Sequence, residues 1–295
     1  MTMRRQQVEE SGPELRNAPM RHRAWLELVQ HDDVASIESD AGALVLAMQD
    51  GQLNLHYAFG ELETMRLELG PLFEQLKGEI GSFDANYVRI DLIQLVNRDW
   101  VQPLLRGIDF EEFAEWMDMV HPKLDPDAPP PEFSQGVTMR RGEADDADRI
   151  VEIEAAAYGD LADGEVATRE RLATAAWVGV LESDGAPIAY AINGEVERAE
   201  GRIHSAAVHP DAWGEGLGRQ ILAAASYQLV ASEARSAVVR VRPDIPQALQ
   251  VTQALGFTPG PRGVEWRRTV DEQAIEERRA RARISGVKAR FGGWR

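Results

Sequence analysis

The chain has 295 residues, with 32 lysines and arginines, 49 aspartates and glutamates, and no cysteine. A length above the roughly 100–200 residues usual for one domain favours two domains. The absence of cysteine excludes disulfides, thiolate nucleophiles and cysteine-ligated metal sites. The net charge of −17 argues against a general binder of nucleic acid or anionic membranes, because such proteins depend on a basic surface.

The sequence carries no sign of export or membrane insertion. It contains no apolar stretch long enough to span a bilayer, and the N-terminal residues lack the apolar run of a secretory signal. We therefore expect a cytoplasmic protein. No His, Asp and Glu set shows metal-ligand spacing, so no metal is expected.

The segment 121–135 holds five of the 15 prolines, which prevents a regular helix or a central strand there. It is predicted to be a linker between a domain at 1–120 and a domain at 136–270, with a basic tail at 271–295. Basic and acidic residues number 11 and 25 in 1–135, 14 and 20 in 136–270, and 7 and 4 in the tail. The acidity of the first half favours a cationic binding partner, such as an amine.

The first half predicts strands and helices in mixed order. An Asp-Gly pair between two apolar runs is typical of a two-residue hairpin turn, and Asp50-Gly51 is such a pair. The predicted elements are strands at 43–48 and 52–58, a helix near 71–79, a strand at 87–95, a helix at 98–106 and a strand at 113–120.

The second half predicts a mixed sheet flanked by helices, again of the α/β type. Its elements are a strand at 137–140, a helix at 143–158, strands at 177–182, 187–196 and 202–208, a helix at 216–233, a strand at 237–241, a helix at 246–255 and a strand at 264–270.

Landmarks of the first half recur in the second. Asp50-Gly51 recurs as Asp184-Gly185, 134 residues later, and Glu115-Trp116 recurs as Glu265-Trp266, 150 residues later. Their common order favours a duplication. Chance is the alternative, because Asp-Gly hairpins are common.

A glycine-rich loop joins the strand that ends at Val208 to the following helix. Gly214, Gly216 and Gly218 stand at alternate positions, where they let the backbone approach a ligand closely. The helix start adds free N–H groups that suit a phosphate, and Arg219 could add a charge. The spacing fits neither a P-loop nor a dinucleotide-binding loop. A flexible turn before an amphipathic helix is the alternative.

This order of strand, glycine loop, helix, strand and short helix resembles the Gcn5-related N-acetyltransferase (GNAT) family. The family's acyl-CoA loop reads Arg/Gln-x-x-Gly-x-Gly/Ala, and Trp213-Gly214-Glu215-Gly216-Leu217-Gly218 matches it except at the first position. Residues 248–257, ALQVTQALGF, resemble the helix and Gly-Phe that close the family core. The resemblance covers 136–270, and the first half resembles a degenerate copy without the loop. It implies two tandem GNAT-like domains.

The resemblance also implies a substrate site and a reaction. The pyrophosphate of coenzyme A would lie on the N–H groups of 213–218 beside Arg219, and pantetheine would lie along Ala207 and Val208, whose N–H would polarise the thioester carbonyl. The expected activity is transfer of an acetyl group from acetyl-CoA to a primary amine of a small molecule or peptide, by direct attack in a ternary complex. A catalytically inactive acyl-CoA-binding module is the alternative, and a homodimer is compatible with both.

The catalytic positions depart from the family pattern. Arg202 stands where the family often has a glutamate base, so His204, two residues on along the same strand face, is the candidate base. A structural hydrogen bond beside Ser205 is its alternative role. Thr252 stands where the family usually has a tyrosine acid. His209 is expected to be structural, and Tyr158 either lines the acceptor pocket or packs in the core.

Overall fold

The computed structural model describes residues 15–17, 25, 28–29, 34–40, 42–49, 51–83, 85–93 and 98–270, so the predicted basic tail lies outside the described residues. The chain divides into two compact units. Unit 1 comprises residues 1–92, 96–113 and 265–295, and unit 2 comprises 93–95 and 114–264. The proline-rich segment 121–135 lies inside unit 2, and the domain boundaries placed on either side of it stay a prediction.

Unit 1 is built on strands in the order β2-β3-β4-β5, with β1 paired to β4. Helix α1 packs against β2, β3 and β4, and Trp25 packs with Ala43, Val45 and Ala58. The elements up to the proline-rich segment are β1 (Leu15–Arg16), β2 (Val34–Glu38), β3 (Gly42–Gln49), β4 (Gln52–Phe59), α1 (Leu62–Leu76), β5 (Tyr87–Ile93), α2 (Arg98–Gly107) and β6 (Glu111–His121).

Helix α1 begins at Leu62, nine residues before the predicted start at 71. Pro71 lies inside the helix, where it removes the N–H that would bond to the carbonyl of Leu67. Leu67 is 71% exposed, so water can satisfy that carbonyl. A proline on the solvent side of a helix is tolerated for this reason.

Unit 2 carries its strands in the order β6-β11-β10-β9-β8-β7, with the first part of β12 beside β6. Helix α4 is the one α-helix of this region that the sequence pattern did not predict. The elements are β7 (Val137–Arg141), α3 (Ala147–Tyr158), α4 (Glu165–Thr174), β8 (Trp177–Ser183), β9 (Ala186–Asn193), β10 (Glu200–Val208), α5 (Leu217–Ala231), β11 (Ser236–Val241), α6 (Pro246–Ala254) and β12 (Thr258–Thr269). No helix in the described ranges has the length and apolar character needed to span a bilayer.

The sheet of unit 2 is covered on both faces. Ile150 and Ile153 of α3 pack with Val180, Tyr190 and Ile192, whereas residues of α5 pack in a separate core with Leu181, Ala189 and Ala191. Because neighbouring strand residues point to opposite faces, α3 and α5 lie on opposite sides of the sheet. The predicted mixed sheet flanked by helices is confirmed.

The hairpin between β8 and β9 has the predicted two-residue turn. Asp184 and Gly185 both have positive φ, 51° and 76°, which is the signature of a type I′ turn. Ser183 pairs with Ala186 directly across it. The local turn chemistry therefore fixes the register of this hairpin.

The same succession of elements occurs twice. Three strands, a helix, a strand, a helix and a strand run from β2 to β6 and again from β8 to β12. In each run the third strand pairs in parallel with the fourth, as β4 does with β5 and β10 with β11. By this order the turn at Gly51 corresponds to the β9–β10 connection rather than to Asp184-Gly185. The starts of β4 and β10 then lie 148 residues apart, close to the 150-residue offset of the Glu-Trp pair.

His56 makes the stability of unit 1 depend on pH. It is buried in β4 with Nε2 3.1 Å from Oε1 of Gln49, and burial lowers its pKa to about 4, with Asp91 raising it and Arg89 lowering it. Between pH 6.5 and 4 the unfolded chain binds a proton that the folded unit does not, so stability is lost as the pH falls through this window. From pH 7 to 5 we expect a loss of about 2 kcal/mol, measured by urea unfolding.

The variant His56→Gln is the control, because an amide takes up no proton in either state. Its unfolding free energy should change less between pH 7 and 5 than that of the wild-type protein. An equal change in both proteins would contradict the assignment to His56.

Candidate active site

The two parallel strands at the centre of unit 2 part along their length. β10 pairs with β11 from Glu200–Ser236 to Ile203–Val239, whereas β10 continues to Val208. The register of β10 against β9 shifts between Ile203 and Ser205, so His204 forms a β-bulge at the point where the strands part. The last residues of β10 therefore have one edge paired with β9 and the other facing a gap.

The hydrogen bonding of β10 decides which groups face this gap. The N–H of His209 donates to the carbonyl of Ile188 at 2.8 Å, next to β9. Since the two edges of a strand alternate, the backbone of Ala207, opposite Tyr190, also faces β9, and the N–H and C=O groups of Ala206 and Val208 face the gap. The predicted donor Val208 has the required direction, whereas the backbone of Ala207 points away. Ala206 was missed because this alternation depends on the register.

A short 3₁₀ turn at Pro210–Ala212 leads from β10 into the glycine loop. Nδ1 of His209 accepts a hydrogen bond from the N–H of Asp211 at 3.3 Å, which is the structural role expected of it. Nε1–H of Trp213 donates to the carbonyl of Val208 at 2.8 Å, although the residue is 59% exposed. The first residue of the loop is thus attached to the end of the open strand.

The loop conformation depends on two of its glycines. Gly214 and Gly216 have φ of 89° and 77°, values that side chains rarely adopt, and helix α5 begins directly after Gly216. The first N–H groups of a helix have no carbonyl four residues earlier to bond with. They and the positive end of the helix dipole form an anion-binding arrangement.

The remaining loop residues differ in exposure. Gly218 lies against the side chains of Val208 and Val251, and a Cβ there would meet them at 3.7–3.9 Å, an ordinary contact. Leu217 is buried in the core under α5, whereas Glu215 and Arg219 are exposed at the helix start. Among the predicted binding residues, Arg219 is the one that brings a positive side chain to this end of the helix.

Neither predicted catalytic side chain faces the gap. The hydroxyl of Thr252 is buried in α6, 2.9 Å from the carbonyl of Ala248 and 3.0 Å from that of Leu249, so its hydrogen is used within its own helix. The ring of His204 packs against Gly194, where a Cβ would lie 2.1 Å from Nε2. His204 is also four residues from Val208, about 13 Å along an extended strand.

A tyrosine that the sequence left ambiguous lies at the gap. The hydroxyl of Tyr158, the last residue of α3, donates to the gap-facing carbonyl of Ala206 at 2.6 Å. Burial and, to a lesser degree, the charge of Glu154 raise the pKa of Tyr158 above its usual value, so it stays a hydrogen-bond donor at neutral pH.

Beneath the same strand lies a chain of buried polar groups. Tyr190 donates to Oε2 of Glu154 at 2.5 Å, and its oxygen is 2.8 Å from Oγ of Ser205. Glu154 is 3% exposed, with Nη1 of Arg171 3.8 Å from its other oxygen, and Arg171 also donates to Asp163. No sequence pattern indicates this cluster, because Glu154, Tyr190 and Ser205 belong to three different elements.

Unit 1 contains the corresponding strand edge, but the chain itself fills it. Parallel pairing of β4 with β5 covers Leu53–Val88 and Asn54–Arg89, and beyond it β1 pairs with β4. The side chain of Asn17 donates to the carbonyl of Leu55 at 2.9 Å and accepts from the N–H of Tyr57 at 2.8 Å. An extended segment with an amide group therefore occupies the edge that is open in β10.

The counterpart of the glycine loop in unit 1 is much shorter. Only Gly60 and Glu61 separate β4 from α1, and Glu63 lies in the first turn of that helix. Carboxylates at a helix start compete with a bound anion for the same N–H groups and dipole end. This part of unit 1 is therefore unsuited to a phosphate.

Comparison with known proteins finds one family model that resembles part of the second half. Residues 146–257 match the model of the acetyltransferase (GNAT) family. The matched range contains β10, the glycine loop and helix α5. No curated protein gives a significant match to the sequence.

Solved structures agree with this match at the level of the fold. A GCN5-related N-acetyltransferase from Kribbella flavida is 17% identical, with 86% of this chain and 96% of that chain covered and a TM-score of 0.57. A tandem GNAT protein from the clavulanic acid biosynthesis pathway is 18% identical, covering 81% and 84% with a TM-score of 0.57. A GCN5-related N-acetyltransferase from Sphaerobacter thermophilus is 16% identical, covering 78% and 81% with a TM-score of 0.52. The chain thus has the fold of GNAT structures.

Proposed function

We propose that this protein is an N-acetyltransferase, which binds acetyl-CoA in the gap beside β10 and transfers the acetyl group directly to a primary amine. The observation that carries the proposal is the open edge of β10, where Ala206 and Val208 direct N–H groups into the gap. The match of residues 146–257 to the GNAT family supports acyl transfer as the reaction class.

The edge of β4 indicates what kind of ligand an edge of this type takes. In unit 1 an extended peptide with the amide of Asn17 bonds to a carbonyl and an N–H of the strand. Pantetheine is likewise an extended chain with two amide groups. It suits the edge of β10 for the same reason, namely that amides satisfy the unpaired backbone groups of a strand.

The glycine loop suits the other end of acetyl-CoA. The N–H groups at the start of α5 would bind the pyrophosphate, and the exposed Arg219 would add a positive charge. The loop follows directly on β10, so an extended molecule lying along that strand reaches the helix start with its phosphates.

In the reaction the amine nitrogen attacks the thioester carbon, and the carbon–sulfur bond then breaks. The gap-facing N–H groups stabilise the negative charge on the carbonyl oxygen, a contribution of about 3 kcal/mol for one well-placed donor. The thiolate takes up one proton released by the nitrogen. Direct attack needs no enzyme nucleophile, which is compatible with a chain that has no cysteine.

The proposal predicts binding and turnover together. Calorimetry should find one acetyl-CoA site per chain, because residues 15–17 fill the corresponding edge of unit 1. Acetyl-CoA with a panel of amines, including aminoglycosides and lysine peptides, should release free thiol and form an amide detected by mass spectrometry. Binding without turnover on any amine would contradict catalysis, and absence of binding would contradict the site.

A second prediction concerns the loop. Gly216→Ala should weaken acetyl-CoA binding by roughly tenfold, or about 1.4 kcal/mol, because a Cβ at φ 77° shifts the loop and its N–H groups. Gly185→Ala is the matched control, since Gly185 has φ 76° in a turn outside the loop. Both variants should lose similar thermal stability, whereas affinity should fall only for Gly216→Ala. Equal affinity in the two variants would overturn the placement of the pyrophosphate.

A further inference from the structure

We propose that Ser205, Tyr190 and Glu154 form a proton relay that takes the proton from the attacking amine and delivers it to the buried carboxylate of Glu154. The inference rests on the proposed function and supplies the base that the sequence leaves open, since Arg202 stands at the usual position of the glutamate. Ser205 is the catalytic residue of the relay, and Tyr190 and Glu154 act through it.

The hydrogen bonds of the relay all run in one direction, from Ser205 through Tyr190 to Glu154. A carboxylate only accepts, so the single hydroxyl hydrogen of Tyr190 lies on its 2.5 Å bond to Glu154. The 2.8 Å contact between Tyr190 and Ser205 must then be donated by Ser205. The lone pairs of the Ser205 oxygen are therefore the acceptor at the start of the relay.

Ser205, the first residue of the relay, lies beside the gap. Ser205 directly precedes Ala206, whose N–H faces the gap, and its side chain lies on the α3 face of the sheet with Tyr190. An amine that approaches from that face to a thioester held at the Ala206 N–H comes next to the Ser205 hydroxyl. The ring of His204, by contrast, packs against Gly194.

Charged and polar neighbours hold the carboxylate of Glu154 in place. Arg171 lies 3.8 Å from its second oxygen and is itself held by Asp163, so the carboxylate has a cationic partner although it is buried. Burial, and next the charge of Glu154, raise the pKa of Tyr190 well above its usual value. Tyr190 therefore passes a proton on without forming a lasting phenolate. The titratable and charged groups around the relay are Tyr158 at the end of α3, Asp163 before α4, Arg171 on α4 and Arg242 after β11.

The transfer balances in protons and charge. An ammonium group gives its proton to Oγ of Ser205, the Ser205 hydrogen moves to the oxygen of Tyr190, and the Tyr190 hydrogen moves to Oε2 of Glu154. The result is a neutral amine that can attack and a neutral Glu154. After the amide forms, the same path in reverse returns the proton to solvent.

The test is the pH dependence of kcat for wild type, Ser205→Ala and Tyr190→Phe, with acetyl-CoA and the best amine of the panel. We expect each variant to lose about 100-fold in kcat at pH 7, within the usual range for general-base catalysis, while acetyl-CoA affinity by calorimetry is unchanged. The deficit should shrink as the pH rises towards the pKa of the amine, because free amine then needs no base. Ser205→Thr keeps a hydroxyl and should restore most of the rate.

Two matched variants control for the loss of a hydroxyl. Ser226→Ala and Tyr227→Phe lie on α5, outside the relay, and should keep the wild-type profile. A deficit in the relay variants that is equal at every pH would indicate a structural role and overturn the relay, as would a changed profile in His204→Gln with unchanged profiles in Ser205→Ala and Tyr190→Phe. Absence of turnover in the wild-type protein would overturn the proposed function itself, a different result from active protein with an unchanged profile.

Discussion

The candidate site depends on the point where the parallel strands β10 and β11 stop pairing. β10 and β11 begin as neighbours and part after Ile203, at the bulge made by His204. A strand edge inside a protein must satisfy its N–H and C=O groups, so an edge left open in this way is suited to a ligand that brings amides of its own. Tyr158 and Trp213 donate hydrogen bonds to the carbonyls of Ala206 and Val208. The N–H groups of the same two residues are therefore the backbone groups that can orient a ligand in the gap.

The two units differ in what satisfies the backbone groups of this strand edge. In unit 1 the chain supplies the missing partner from residues 15–17, and a two-residue connection with acidic neighbours replaces the glycine loop. In unit 2 the edge stays open, and two glycines with positive φ shape the loop that follows. The same succession of strands and helices thus has a strand edge filled by the chain itself in unit 1 and an open strand edge suited to a ligand in unit 2.

Local features of this chain could be predicted from sequence, and long-range ones could not. The Asp184-Gly185 turn and the glycine loop follow from backbone chemistry within a few residues, so their positions agree with prediction. Helix α1 started earlier than predicted because a proline is harmless where the lost bond faces water. The orientation of Ala206 depends on the register of β10 against β9, and the cluster around Glu154 depends on contacts 15 to 36 residues apart in sequence.

The composition of the units has a consequence for synthesis on the ribosome. Unit 1 includes residues 265–269 of β12, next to β5 in the sheet, whereas β5 ends at Ile93. At roughly 5–20 residues per second, the intervening chain takes on the order of 10–30 s to make. During that time β5 is an unprotected edge in a nascent protein, the kind of surface that chaperones cover. Unit 1 therefore cannot finish folding before residues 265–269 have been synthesised.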